Sequence, residues 1–396
     1  MIVIVPDSLS LISYKIDKVH LKIISLIVGQ QIKQCSYQMS KKRLRGAPAD
    51  PSTIFRRWTN VPSKELKSIA ANYRDICIDL EKENIIERNN KANYSNFTNN
   101  KYPYSFRLGQ SLWHDTFTLK YIDQRKTIKI NPSGIPYKNE YLVAESHLNK
   151  FHFPPEYLDQ YNSICELSSW PLLSKASISQ LYSTNWWSKI DKFGRYHTPL
   201  TNLVGGVRGF LKYKKENIIG FDFANFQPSL LCLYEKELLL QDDSKLYFEL
   251  CRKGMIYDFM AKNSPINSCR EEVKKEFLIM LNVTNNRMIE MPIFKTFQQY
   301  FPTFAKLIEQ IKSDNHRNMA NYLQRKESEI IFGCIVANFI SKTKSPFFTV
   351  HDAVYTTESK SKMLKNEFIR AINMWKIPTR VKEENINNTQ QPIPSM

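Results

Sequence analysis

Two acids stand where acids are costly. Asp222 interrupts the apolar run IIGFDFANFQPSLL (residues 218–231), and Asp352 interrupts PFFTVHDAVYTTE (residues 346–358), with His351 beside it. An ionised carboxylate taken out of water without a partner costs several kcal/mol, so such a residue is paired to a base or bound to a cation. For Asp222 alone, a structural ion pair and a metal ligand are equally good readings. Two strands of the same character, each with one central acid, shift the balance. Paired carboxylates on adjacent strands make a hard-oxygen site suited to Mg²⁺, which takes one or two carboxylates plus substrate phosphates. Two such ions, about 3.5–4 Å apart, would activate a 3′-hydroxyl and stabilise a leaving pyrophosphate in an in-line displacement. Between the acids, in CREEVKKEFLIML, Arg270 and Lys274 are four apart and share one helix face, so both can reach one triphosphate. The competing reading is an exposed basic stripe, which Glu271 and Glu272 favour.

Further motifs surround these. GRYHTPLTNLVGGVR (194–208) is similar to a GR-x-S/T…N-L-Q…R segment, with Arg195 and Asn202 seven apart and Arg208 within one residue of the later arginine. Asp222 stands at the acid of D-x-S-Q-I-E, Arg270 and Lys274 reproduce R-x-x-x-K, and Val350, His351 and Asp352 match V-H-D-E. Lesser echoes are GMIYD, Gly254 to Asp258, and Tyr300 to Pro302 before a helix. In this order, over residues 190–385, the chain resembles the family A (bacterial DNA polymerase I-like) nucleic-acid polymerases, relatives of the single-subunit phage RNA polymerases. The resemblance implies a right-hand polymerase: a palm with an antiparallel sheet, helical fingers and a small thumb. It implies that Asp222, Asp352 and the backbone carbonyl of Phe223 hold two Mg²⁺ ions (Mn²⁺ substituting). It implies that Arg270 and Lys274 hold the β- and γ-phosphates, and Lys274 could protonate the leaving pyrophosphate. His351 would sit beside the primer terminus and Gln227 would line the sugar pocket. Arg195, Asn202 and Arg208 would position the duplex through sugar and minor-groove contacts. Gln324 and Glu327, in QRKES (324–328), would approach the template base; the alternative is a solvated first turn of a helix.

Departures from the pattern bear on substrate. Gln227 replaces a glutamate that blocks the ribose 2′-hydroxyl in DNA polymerases of the family. Asn282 falls near the aromatic that closes the fingers helix, and Ala353 replaces the acid after the second palm aspartate. The metal pair is kept and the choice between dNTP and NTP is left open. The chain before Gly194 is too short for a 3′–5′ exonuclease domain together with a thumb, so proofreading is not expected.

These residues need strands and long helices to position them, an α+β arrangement. FDFANF and PFFTVHDAVYTT have the composition of buried strands; EEVKKEFLIMLN and ESEIIFGCIVANFI have helical apolar spacing. Residues 194–396 read as the palm and fingers core. Residues 116–193 read as a linking, thumb-like region, with two strands around Asp123 to Lys126 and helices from about 154 to 188 ending in Tyr182, Trp186 and Trp187. Residues 1–115 read as a basic winged-helix-like module: helical IAANYRDICIDLEKENIIER, the polar excursion at 89–105, and strand-like SFRLG. A plain β-hairpin packed on the body is the alternative there.

Composition agrees with a polyanion partner. Lys and Arg number 56 against 38 Asp and Glu, a formal net charge of +18 spread along all 396 residues. Such a spread suits tracking primer–template nucleic acid, since each neutralised phosphate releases counterions; a solubility bias is the competing reading, and charge alone does not decide between them. The seven cysteines form no CxxC pair and have no His at ligand spacing, which fits reduced thiols in an intracellular, cytoplasmic protein. No segment is apolar enough to span a bilayer and the N-terminus lacks a basic n-region, so neither membrane nor secretion is expected. Few glycines and no repeat exclude solenoids and propellers. The reading is template-directed nucleotidyl transfer in a phage, plasmid or other mobile element. Two other classes compete: a nucleic-acid-binding replication initiator or regulator on a degenerate polymerase-like body, and a Mg²⁺ nuclease. Nuclease sites gather three or more acids, whereas each motif here carries one.

Overall fold

The computed structural model describes residues 2–9, 16–41, 51–89, 104–122, 129–134, 138–168, 171–181, 185–203, 205–234, 241–264 and 269–384. Helices mix with small, mostly antiparallel sheets. The chain opens with β1 (Ile2–Pro6), whose Val3, Ile4 and Val5 are fully buried, and a long helix, Lys18–Lys41, that buries Ile23, Ile24, Ile27 and Val28. Then come β2 (Thr59–Val61), helices Ser63–Ile69 and Tyr73–Lys82, β3 (Ile86–Asn89) and β4 (Tyr104–Leu108). The three strands form one antiparallel sheet in the order β2-β4-β3, with Thr59 opposite Phe106 and Ile86 opposite Leu108. Most of the polar excursion, residues 90–103, lies outside the described residues.

Strand pairing crosses residue 115. β5 (Phe117–Tyr121) pairs with β1, Ile2 opposite Tyr121. Helix Pro171–Leu181 packs on the long N-terminal helix; Ser25 joins them by donating or accepting at Ser179 Oγ (2.8 Å) while its oxygen accepts from Ile4 N (3.0 Å). Lys175, fully buried, ties the same helix to the Phe117 carbonyl and to Glu166. β6 (Lys129–Gly134) runs parallel to β7 (Asn185–Ile190), which pairs with β8 (Tyr196–His197). The two strands expected around residues 123–126 both form, but each pairs elsewhere, and residues 123–128 lie outside the described set. Trp186 and Trp187 belong to β7, not to a helix end, because consecutive bulky aromatics fit a pleated strand. Tyr182 is outside the described residues.

The sheet that carries both acids has five strands. β9 (Lys212–Tyr213) meets the start of β10 (Glu216–Phe223); β11 (Phe347–Val350), β12 (Ala353–Thr357) and β13 (Val381–Glu384) complete the order β11-β12-β10-β13. Alternation sets the faces of β10. Phe221 and Phe223 point to the core, 6.2 and 4.8 Å from Phe368 of helix Ser361–Trp375, which leaves Gly220 and Asp222 on the other face. The run PFFTVHDAVYTT is a hairpin, not one strand, and Asp352 sits in its turn rather than mid-strand. The apolar run hides that turn because Asp352, a customary turn residue, has no Gly, Pro or Asn beside it. His351 takes a left-handed φ of 55° to make it.

Between β10 and β11 the helices Asp242–Lys253, Ile256–Asn263, Arg270–Asn282, Pro292–Tyr300 and Pro302–Ile311 pack around Tyr247, Phe297, Phe301 and Phe304. Helix Arg317–Ile330 continues through a π-helical turn, Ile331–Val336, into Ala337–Lys342. Residues 324–328 therefore lie inside a continuous helical run instead of opening one. Its start lies at Arg317, seven residues before Gln324.

Gly220 makes the sheet possible next to Asp222. A Cβ there would stand 2.4 Å from the Tyr355 ring across the ladder. Gly220→Ala is expected to lower folding stability by about 1–3 kcal/mol through overpacking, read by denaturant unfolding; an unchanged midpoint would show that Tyr355 can move aside freely.

Candidate active site

Neighbouring strands bring the two acids together. Phe221 pairs with Val354, which places Asp222 one residue beyond that pair and Asp352 two residues before it. The two carboxyl groups lie close enough to interact directly. Burial raises Asp222 well above the usual carboxylate range, and the charges of Asp352 and Glu384 add to the rise. Burial also raises Asp352, against the pull of its own backbone N–H, Asp222, His351 and Arg195. Phe223 N donates to Asp222 Oδ1 at 2.7 Å. Neither acid is in an ion pair with Lys or Arg among the described residues. Two such carboxyls cannot both ionise without a neutralising charge between them. Hard oxygen donors in this state fit a divalent cation such as Mg²⁺. Among the described residues no group of three His, Cys, Asp or Glu side chains is arranged to hold a metal, so further donors would come from solvent and substrate.

A second cluster borders the acids. Arg195 Nη2 donates to Glu327 Oε2 at 2.7 Å, and Gln227 Nε2 donates to the same oxygen at 3.0 Å. Glu327 is almost fully buried, and its Oε1 and Arg195 Nε have no hydrogen-bond partner among the described residues. Burial pushes the Glu327 carboxyl up to about 7, Asp352 adding to the rise while Arg195 and Gln227 oppose it. Asp191 shapes the turn that aims Arg195: its Oδ1 accepts from Phe193 N (2.9 Å) and Arg195 N (3.0 Å), and its Oδ2 bonds His197 Nε2 (3.0 Å). Gly194, at φ 86°, lies under Ser328 and is fixed by Tyr141, whose hydroxyl donates to its carbonyl at 2.7 Å.

His351 is exposed at the hairpin tip; desolvation holds it below the ordinary imidazole range, opposed by Asp352 and reinforced by Arg195, His197 and Arg208. Arg208 lies over the Tyr355 ring (5.9 Å) and donates to the Leu203 carbonyl at 3.0 Å. Tyr355 donates its hydroxyl to Glu384, and so pins that acid on the face of Asp222. Asn202 is exposed at the end of the short helix Pro199–Asn202, and Gln324 is half-buried. Arg270 opens helix Arg270–Asn282, paired with Asp258 (3.2 Å) and Glu271 (3.0 Å) and 5.7 Å from the Tyr257 ring; Lys274 is exposed one turn on. Tyr257 is buried within electrostatic reach of both Arg270 and Asp352. No hydrogen bond joins Arg270 or Lys274 to the two acids among the described residues.

Glu327 is not part of a solvated turn. Leu323, Glu327 and Ile330 are all buried at a spacing of four and three, the helical signal that could have placed Glu327 inward. Glu384, Tyr355, Asp191 and Tyr257 were not anticipated. The acid Glu384 becomes visible only through the β10–β13 register, which pairs it with Gly220.

The raised pair has a pH consequence with a definite sign. A carboxyl whose pKa is higher folded than unfolded gains protons on folding, so stability falls as pH rises from the ordinary carboxylate value through the raised one. Asp352→Asn is therefore expected to melt higher than wild type at pH 8 without metal, the gap closing near pH 4. Mg²⁺ should raise the wild-type melting temperature and leave the variant's unmoved; equal responses would refute a shared cation. Glu327→Ala leaves Arg195 without its carboxylate and is expected to cost about 3 kcal/mol in denaturant unfolding. Glu327→Gln should cost clearly less, and no loss in either would make the pair incidental.

No protein-family profile and no curated protein matches this chain. Among solved structures it is similar to the POL domain of Pol1 from M. smegmatis in complex with DNA primer-template and dNTP, at 13% identity and a TM-score of 0.37. The match covers 57% of this chain and 54% of that one, so it spans about half of the solved chain.

Proposed function

We propose that this chain is a Mg²⁺-dependent nucleotidyltransferase that extends a primer on a nucleic-acid template. The observation that carries the reading is the meeting of Asp222 and Asp352, 130 positions apart, as a buried pair of acids brought together by the β10–β12 register. Their order relative to Arg195, Arg270 and Lys274 supports the polymerase assignment over a nuclease. In this reading the five-stranded sheet is the palm, helix Arg270–Asn282 belongs to the fingers, and residues 1–115 form a winged-helix-like module.

Asp222 and Asp352, with the Phe223 carbonyl, would hold the cations. Bound Mg²⁺ supplies Lewis-acid activation of the attacking hydroxyl and neutralises charge at the leaving group. Every other part falls to side chains. Arg270 exchanges Asp258 and Glu271 for the incoming phosphates, and Lys274, exposed on the same face, meets them one turn further and can donate a proton to the leaving group. Arg195, held by Glu327, and Arg208, held by Leu203, keep guanidinium groups beside His351 where a primer end would lie. Gln227 has its amide nitrogen committed to Glu327, which leaves its oxygen for the sugar.

The decisive experiment supplies labelled dNTPs and NTPs separately on primed and unprimed templates with Mg²⁺. Extension is expected, and Asp352→Asn should reduce it about 100-fold or more. Wild-type extension by the variant would end the catalytic account; degradation of the template without nucleotide would favour a nuclease.

A further inference from the structure

The N-terminal unit carries a surface that the proposed reaction does not use. On the outward face of the β2–β4–β3 sheet, aromatic rings and guanidinium groups alternate. The Arg107 guanidinium lies 4.5 Å from the Trp58 ring and 5.2 Å from the Trp113 ring, and the Arg56 guanidinium lies 5.3 Å from Trp113 on its own account. The ladder is fixed from below. Arg107 donates to Glu87 at 2.5 and 2.8 Å, and Trp113 Nε1 donates to the Leu108 carbonyl at 2.9 Å. Arg56 and Arg57 are exposed and Trp58 is half-buried, so cationic groups and part of an indole remain at the surface.

The opposite assignment fails on charge. A helix-turn-helix unit places its second helix in the major groove; here that is Tyr73–Lys82, whose exposed residues include Asp75, Ile78 and Asp79 beside Arg74 and Lys82. Arg74 and Lys82 cancel Asp75 and Asp79, and Glu81 is paired with Arg88 at 2.9 Å, so the helix offers a phosphate backbone no net positive charge.

We infer that this module binds single-stranded nucleic acid across Arg56, Arg57, Trp58 and Arg107, not duplex through helix Tyr73–Lys82. Unpaired bases stack on the exposed part of the Trp58 indole, which Arg107 braces, without regard to sequence, and the exposed Arg56 and Arg57 meet the phosphates. A duplex keeps its base faces covered and gains nothing from the ladder.

The test uses the full chain and fluorescence anisotropy with labelled oligo(dT), oligo(rU) and a blunt duplex. Trp58→Ala is expected to weaken binding of both single strands about fivefold or more. Arg57→Glu should weaken them and flatten the salt dependence. Neither should change duplex binding or, at saturating template, the extension rate; Arg74→Ala on the helix should change nothing. Single-strand binding by folded Arg57→Glu and Trp58→Ala that equals wild type overturns the inference, as does a loss confined to duplex or an equal loss in Arg74→Ala. Circular dichroism checks folding, and Arg57→Glu carries the test should Trp58→Ala unfold. The readout is binding, so absence of primer extension would leave the inference standing on its own result.

Discussion

Two carboxyl groups buried against each other are the constraint around which the rest is arranged. Burial and the mutual repulsion of two negative charges both act against the pair. It persists because the strands beneath are held by apolar contact. Phe221, Phe223, Val354 and Phe368 are buried, and each large side chain removed from water contributes about 1.5–3 kcal/mol. That margin lets the hairpin keep His351 in a left-handed conformation at its tip and turn Asp352 back toward β10. A divalent cation between the acids reverses the sign of their interaction, so the same geometry that costs stability is what would give affinity for the ion.

Glu327 plays the corresponding part for the flank. One buried oxygen receives Arg195 from a turn 132 residues earlier and Gln227 from the helix that follows β10. Three separate segments thus meet at a single acceptor. Tyr141 and Asp191 then determine where the turn carrying Arg195 can lie.

How much of this was readable from residue order depended on how local the signal was. Asp222 and Asp352 stood out because an acid in an apolar run is anomalous wherever the run folds. The hairpin at His351 did not, since the turn depends on a backbone conformation that His seldom takes. The strands either side of residues 123–126 were visible as strands, but their partners, β1 and β7, are remote and composition says nothing of remote pairing. Trp186 and Trp187 were assigned to a helix because the helices before them set the context, and tertiary pairing with β6 decided otherwise. Glu327 looked like solvent-facing polarity within QRKES, although its period with Leu323 and Ile330 pointed inward. Glu384 had no signal at all without the register of β13.

The pairing of β1 with β5 has a temporal side. A ribosome delivers residue 2 long before residue 121, and until Phe117–Tyr121 emerge the strand holding Val3, Ile4 and Val5 lacks the neighbour that closes its ladder. Helix Lys18–Lys41 can cover part of that strand early, but helix Pro171–Leu181, which packs on both, arrives later still. The N-terminal unit therefore cannot finish folding as a freshly made 115-residue stub. Its first strand waits, sticky and half-clothed, for a stretch of chain from beyond the module it begins.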